Sequence, residues 1–352
     1  MTNPCENFAS DSRVEPLTLT DGSIAVLNLQ AQIDGLEGCD TPAEAASLID
    51  LLMLRGLILG RISDYERAAQ LADRLVDVAV DDAAAYVTRG RTRAVFHRFA
   101  EALDDFDHAE RLSPDDDAAK QERATVLQAL GRYDEALSTY ENAPGRAGRF
   151  QNAAALTGFW AEQGETVSAE RLYLQSLGNY RGISPLPLAL LDFQLGVMWM
   201  RKERLDQARS YFEAAIRRVP AYTAAQGHLG EVEAALGEPE AAIARLNPLA
   251  ISSDDPDYAA QLARILGEMG RNEESLTWRR RAADRYDALV TAHPAAFADH
   301  AAEFWLGAGD DPQEALRLAE LNLQIRKTPR ANELVAQARE ANDMRAASVR
   351  RQ

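Results

Sequence analysis

Along most of the chain a small residue is followed, four positions later, by a larger apolar or aromatic one: Ala102 and Phe106, Ala136 and Tyr140, Ala169 and Tyr173, Ala208 and Phe212, Ala242 and Leu246. Ala68 with Ala72 is a weaker first member, and Ser275 and Ala315 continue the series. Successive spacings are 34, 34, 33, 39, 34, 33 and 40 residues. Residues four apart lie on one face of a helix, so the pattern predicts a buried helical stripe that returns at a fixed period. Such a period marks an array, in which each unit packs only on its neighbours and the core lengthens instead of thickening. That suits a chain of 352 residues, because a single hydrophobic core stops growing near this length.

Twelve positions before the small residue stands a glycine in four units: Gly56, Gly90, Gly196 and Gly230. Glycine inside a helix costs roughly 1 kcal/mol against alanine. Its return at one register therefore predicts a close approach between the two helices of a unit, A and B, with the aromatic filling the wedge beside them. Seven positions after the small residue come Ala109, Ala143, Ala215 and Ser176, and twelve after it Pro114 and Pro220 close two units. Gly131, Gly164 and Gly237 mark A-to-B turns. Thr41-Pro42-Ala43-Glu44 reads as a capping box with proline at the first helical position, and so as the start of the first helix A. Ser113-Pro114 and Thr328-Pro329 repeat the cap-and-proline signal. Beyond Pro329 a weakly apolar face of Leu334, Val335 and Ala338 fits a terminal capping helix.

Together these residues resemble the tetratricopeptide repeat (TPR) family, whose pattern runs from a large residue through Leu-Gly, Tyr and Ala-x3-Phe to Pro. The resemblance spans 42 to about 324 and is most specific over 83–116 and 189–222. It implies an all-α fold, an α-α superhelical solenoid of about eight TPR-like helical hairpins with N- and C-terminal capping segments. The expected organisation is an N-terminal segment over 1–41, the array over 42–327, and a capping helix with a basic tail over 328–352. The two long spacings place extra residues near 178–188 and 285–296, both between a helix B and the next helix A. Insertions on a repeat's loop face are often binding sites, and a lengthened helix or a change of superhelical pitch accounts for them equally. Ahead of the array, residues 23–36 read as an amphipathic helix with Ile24, Leu27 and Ile33 inward, or as a short strand at Ile24-Ala25-Val26-Leu27.

Charge narrows the class of partner. Thirty-eight Lys and Arg against 55 Asp and Glu leave a net charge of −17, which argues against nucleic acid or an anionic membrane as a general partner. From 315 to 352 the balance reverses, with eight basic residues against four acidic. A solvated last helix and a docking surface for an acidic partner are the two readings of that tail. Cys5 and Cys39 are the only cysteines, both ahead of the array, and nothing requires them to pair. The opening residues lack a basic region followed by an apolar one, and no apolar stretch reaches membrane-helix length. The expectation is a cytoplasmic protein, or an exported one if a leader has been removed.

No phosphate loop, dinucleotide fingerprint, nucleophile elbow or HExxH motif occurs, and the expectation is a chain that is not an enzyme and needs no cofactor. The candidate for metal chemistry is a pair of His-x-x-Glu sequences, His228 with Glu231 and His300 with Glu303. Residues three apart share a helical face, so each pair offers one nitrogen and one carboxylate. A packed histidine beside a solvated glutamate is the ordinary alternative. Trp160 and Trp199 fall at the position that the family fills with a core tyrosine, which favours packing over a stacking platform.

The resemblance further implies that one face of each helix A lines a concave groove. The positions that match are Met53, Leu57 and Arg61, then Val87 and Arg91, then Phe193, Val197, Met200 and Arg201, with Glu231 and Arg264 further on. An apolar strip punctuated by arginines suits an amphipathic or acidic peptide. The family's carboxylate clamp of Lys and Asn is missing, since the matching positions hold Leu54, Leu57, Thr88 and Arg91. The expected function is a protein- or peptide-binding scaffold. A self-assembling subunit, with homo-oligomers, is the alternative.

Overall fold

The computed structural model describes residues 19–38, 41–115, 117–142 and 150–349. Cys5, Cys39, Ala143, Arg350 and Arg351 lie outside them. Among the described residues there are eighteen helices and no strand. Helix α1 (Gly22–Gly35) precedes α2 (Pro42–Leu59) and α3 (Ile62–Val78), the first hairpin. The next three hairpins are α4 (Ala83–Val95) with α5 (Phe99–Leu112), α6 (Asp117–Ala129) with α7 (Tyr133–Asn142), and α8 (Phe150–Glu162) with α9 (Thr166–Asn179). Then follow α10 (Leu186–Arg201) with α11 (Leu205–Arg218), and α12 (Thr223–Ala235) with α13 (Pro239–Ser252). The seventh and eighth pair α14 (Asp257–Glu268) with α15 (Asn272–Ala292) and α16 (Pro294–Leu306) with α17 (Pro312–Ile325), and α18 (Pro329–Val349) covers the last. No helix among the described residues is long and apolar enough to cross a membrane.

The recurring glycines do what their register predicts. A Cβ on Gly196 would stand 2.5 Å from the Phe212 ring, and one on Gly90 would press still harder on Phe106. Both rings are fully buried. In the first hairpin, where Ala72 replaces the aromatic, the Tyr65 ring closes on Gly56 instead. The A-to-B turns share a second device, one residue with positive φ in each hairpin: Gly60, His97, Gly131, Gly164, Glu203, Gly237, Gly270 and Asp310. Three of these eight carry side chains, so the left-handed conformation is held there against a cost of about 1 kcal/mol. At His97 and Glu203 the sequence gives no turn signal.

Helix starts agree with the sequence at both ends of the array. Thr41 and Glu44 form the reciprocal capping box with Pro42 at the first position, and Thr328 Oγ1 accepts the Ala331 N–H at 3.2 Å. Ser113 does not start a helix. Its N–H bonds Ala109 O at 2.9 Å and so closes α5, and α6 begins only at Asp117. Gly22–Gly35, ahead of the array, is helical, but with a different face inward. Ile33 is buried, whereas Ile24 and Leu27 are 51% and 68% exposed. Helix α1 lies between α2 and the end of α11, with Gly22 against the Arg218 carbonyl, so the covered face is Gly22, Leu29 and Ile33.

The superhelix closes on itself. The turn after α2 meets the connections around α12 to α14: Thr223 Oγ1 donates to Ile58 O at 3.2 Å, and Ser253 Oγ donates to Gly60 O at 2.6 Å. The Asp254 carboxylate accepts the N–H groups of Ile62 and Ser63 at 2.6 and 2.9 Å. It thereby caps α3, whose own N-cap residue Arg61 supplies no side-chain bond. One hairpin on, His97 Nδ1 lies 2.9 Å from Ala295 O and the Phe96 ring stacks on His293. One further, Arg326 Nε reaches Ala129 O at 3.4 Å. Fully buried Ile58 packs with Leu186, Ala189, Val219 and Tyr222 across the same seam. Both insertions serve it. The connection before α10 receives the Thr20 N–H on Ile183 O at 2.7 Å. The second insertion lengthens α15 to 21 residues, and His293 at its end lies 3.1 Å from Glu66.

Two stability measurements check this packing. Gly196→Ala should destabilise the fold by about 1–3 kcal/mol in chemical denaturation, because overpacking at Phe212 outweighs the gain of about 1 kcal/mol in helix propensity. A more stable variant would remove the packing role of the glycine. Asp254→Ala, which strips the α3 cap, should lower stability by about 1 kcal/mol; no change would mean that the seam does not depend on it.

Candidate functional site

The inner faces of the A helices surround a lumen. Phe193 is half-buried, with its ring centroid 5.2 Å from that of Tyr222. Val197 and Met200 are half-buried beside it around Phe212 and Leu229. Leu57 is 39% exposed, while Met53 packs on the core of the first hairpin. Val87 is buried with Phe99 and Phe106, and Arg61 stands exposed in the α2–α3 turn. The predicted strip is thus divided. Its first members serve the first two hairpins, and Phe193 also packs on the seam cluster.

The arginines differ from one another in what they already hold. Arg91 bonds Asp50 at 2.7 Å and lies 3.9 Å from Glu122. Arg264 pairs with Glu268 at 3.0 Å, and Glu231 lies 2.8 Å from His228. Arg201, the last residue of α10, has no ion pair within 4.0 Å among the described residues and keeps an exposed side chain. Burial within the lumen and the neighbouring charges of Arg330 and Arg326 pull its pKa down, against Glu162 and Glu303. Arg326 follows the last residue of α17, Arg330 lies in α18, Glu162 in α8 and Glu303 in α16.

The second His-x-x-Glu pair lies in a different constellation from the one its spacing suggests. His300 Nδ1 is 3.4 Å from Asp257 Oδ2, and the Tyr286 hydroxyl donates to the same carboxylate. Glu303 instead accepts from Arg330 at 2.7 Å. On the other side, the Asp299 carboxylate takes the His300 N–H at 3.0 Å and Arg326 at 3.2 Å. His300, Asp257, Tyr286, Glu303 and Glu231 line a cavity of about 170 Å³ between α12, α14 and α16, with Gln261 and Arg264 also in its wall. His300 has 45% of its side chain accessible, although protein encloses it. Among the described residues no group of three or more His, Cys, Asp and Glu is placed to hold a metal ion.

Charge coupling is strong in this wall. Burial opposes the charge on His300, but Asp299 and Asp257 override it and hold the imidazole pKa well above its ordinary value. Asp257 is likewise opposed by burial and held down by His300, and Asp255 is pushed up by burial and by the adjacent Asp257. Sequence reasoning missed Asp257, Tyr286, Arg326 and Arg330. The one local signal was the acidic run Asp254-Asp255-Pro256-Asp257 in a connection, where a solvated loop would not need three carboxylates.

The basic tail is engaged within the chain. Arg317 bonds Glu314, Arg339 bonds Glu320 and Arg345 bonds Asp310, at 2.5, 3.1 and 3.0 Å.

A raised pKa on His300 and Asp255 means that the folded chain holds these protons more tightly than the unfolded one. The Asp255 contribution should therefore be lost as pH rises from the ordinary aspartate value of about 4 to about 7. The His300 contribution should be lost as pH rises past the ordinary histidine value of about 6.5, whereas the lowered Asp257 acts only below about pH 4. Thermal unfolding at about pH 6 and about pH 8.5 should give the lower Tm at the upper pH, and His300→Gln should flatten the difference. An unchanged slope in the variant would show that His300 is not linked to folding.

Two family models described as tetratricopeptide repeat match the chain, one over residues 53–117 and one over residues 200–277. No curated protein sequence matches. Among solved structures, the human IFIT1 dimer with PPP-AAAA is 16% identical with a TM-score of 0.55, over 88% of this chain and 73% of that one. An IFIT1 monomeric mutant with Gppp-AAAA is 15% identical with a TM-score of 0.56, over 86% and 71%. The APC/C hetero-tetramer Cut9-Hcn1 is 18% identical over 89% of this chain with a TM-score of 0.49, and this chain spans 52% of that one. At these identities the likeness is one of fold. The family matches show tetratricopeptide repeats over residues 53–117 and 200–277, and the eight hairpins carry the same small-residue register and fold along the array.

Proposed function

We propose that the protein is a binding scaffold that takes a segment of a partner protein, or a peptide, against the inner face of its superhelix. Tetratricopeptide repeats are in general protein-interaction scaffolds, and the reading beyond that rests on the lumen. One observation carries it: half-buried Phe193, Val197 and Met200 sit in line with Arg201, which has no ion pair among the described residues. Apolar side chains beside an unengaged guanidinium suit an amphipathic segment, whose apolar residues pack while its polar ones bond.

Nucleic acid is the less favoured ligand. The solved structures of IFIT1 hold PPP-AAAA or a capped form of it, but this chain carries a net charge of −17, and a polyphosphate would have to approach it against that field. Self-assembly through the basic tail is also less favoured, since Arg317, Arg339 and Arg345 already pair within the chain. Catalysis has no part in this reading.

The test is affinity capture on immobilised protein from a lysate of the source organism, with identification by mass spectrometry. A partner held by the wild type should be lost, at least tenfold in recovered amount, by Phe193→Ala combined with Met200→Ala, while the circular dichroism of the variant stays helical. Full retention would place the interface outside the lumen.

A further inference from the structure

A cavity of about 510 Å³ lies at the seam, between α3 on one side and the α13–α14 connection with α15 on the other. Closure of the superhelix creates it. Ser63 and Glu66 belong to the first hairpin, whereas Asp254, Asp255, Arg281 and Arg285 come from the far side of the seam. Pro256 and Ala259 add an apolar stretch of wall. Both α3 and α15 are the second helices of their hairpins, so the cavity is not part of the surface that the A helices present to the lumen. Its volume falls in the range of small-molecule sites, about 300–1,000 Å³.

Three of the five charged groups in this wall are already engaged. Asp254 uses both carboxylate oxygens on the N–H groups of Ile62 and Ser63. Arg285 donates Nε to the Asp254 carbonyl at 2.9 Å and lies 3.8 Å from its carboxylate. Glu66 lies 3.1 Å from His293 Nε2. Two groups of opposite sign are left. Arg281, exposed on α15, has no ion pair within 4.0 Å among the described residues and rests over the Trp278 ring, 5.5 Å from its centroid. Asp255 has no cation within 4.0 Å among the described residues, and its one hydrogen bond is local, with Oδ1 accepting the Asp257 N–H at 3.0 Å. Burial and the adjacent Asp257 push its carboxyl up to about 7, a shift that a cation in contact would oppose. A guanidinium without an anion and a carboxyl without a cation thus share one cavity, and the chain itself completes neither.

We propose that the seam cavity binds a small zwitterion, an α-amino acid or a short peptide, with its anionic end on Arg281 and its ammonium on Asp255. A simple anion would satisfy Arg281 but meet Glu66, Asp254 and Asp255. A simple cation would satisfy Asp255 but meet Arg281 and Arg285. A zwitterion answers both ends, and its side chain packs on Pro256 and Ala259. Because the wall comes from both sides of the seam, such a ligand binds only the closed superhelix and stabilises it by mass action. The site is independent of the lumen and of the scaffold reading above.

Thermal unfolding of the full chain with each of the standard L-amino acids, and with L-alanyl-L-alanine, at about 10 mM tests the site. At least one of these probes should raise the Tm by about 2 °C or more. The N-acetyl and carboxamide derivatives of that probe each lack one charge and should leave the Tm unchanged. Arg281→Gln and Asp255→Asn should each abolish the shift. Asparagine keeps the oxygen that accepts the Asp257 N–H, so the connection is preserved in that variant. Arg280→Gln, on the same helix but outside the cavity wall, should retain the shift. A response to amino acids alone, or to the dipeptide alone, distinguishes the two sources of the zwitterion. The site is overturned if no probe shifts the wild-type Tm, if either blocked derivative shifts it equally, or if the shift survives Arg281→Gln or Asp255→Asn.

Discussion

The first turn of α3 begins with N–H groups that its own N-cap residue leaves unbonded. Helix starts of this kind must find acceptors elsewhere, and here the acceptor is Asp254, 192 residues along the chain from Ile62. That bond, with the neighbouring contacts of Gly60 and Ser253, holds the first turn of the superhelix on the second. Everything interior depends on it. The glycine-to-ring contacts within each hairpin set a uniform local geometry, but they fix only curvature and pitch. It is the seam that turns a curved stack into a closed wall.

Closure changes the electrostatics of the inner surface. On an open groove each charge would face bulk water and be screened. Inside the lumen, His300 feels Asp257 and Asp299 together, and Arg201 feels cations from the far end of the chain. Arg91 is matched by Asp50 of the preceding hairpin, Arg330 by Glu303 of α16, and Arg264 by Glu268 of its own helix. Arg201 at the end of the apolar strip, like Arg61 in the first turn, has no ion pair within 4.0 Å among the described residues.

Much of the fold was legible because it is local and periodic. Ala102, Ala136 and Ala208 recur at the register that crossing helices need, and Gly90 and Gly196 stand where a side chain would strike a ring. The left-handed turn residues were legible only where glycine fills them. At His97 and Glu203 the same conformation is imposed by the hairpins on either side, and no composition signal survives. The inward face of α1, read as Ile24, Leu27 and Ile33, differs because its covered face is set by the end of α11, which lies close only after closure. The site was less legible still. Its neighbours Arg201, Arg326 and Glu162 belong to different hairpins and share no period, and seam contacts join turn residues rather than patterned helix faces. The two insertions were visible as irregular spacings, but their use in the seam follows from where Ile183 and His293 land.

The closed superhelix is tested most directly by small-angle X-ray scattering on the monomeric chain. A turn packed on its predecessor predicts a radius of gyration near the value of about 20 Å expected for a compact chain of this length, with a single symmetric distance distribution. A clearly larger radius with the long tail of an extended rod would contradict it, because an open solenoid would hold neither the Asp254 cap nor a lumen around Arg201.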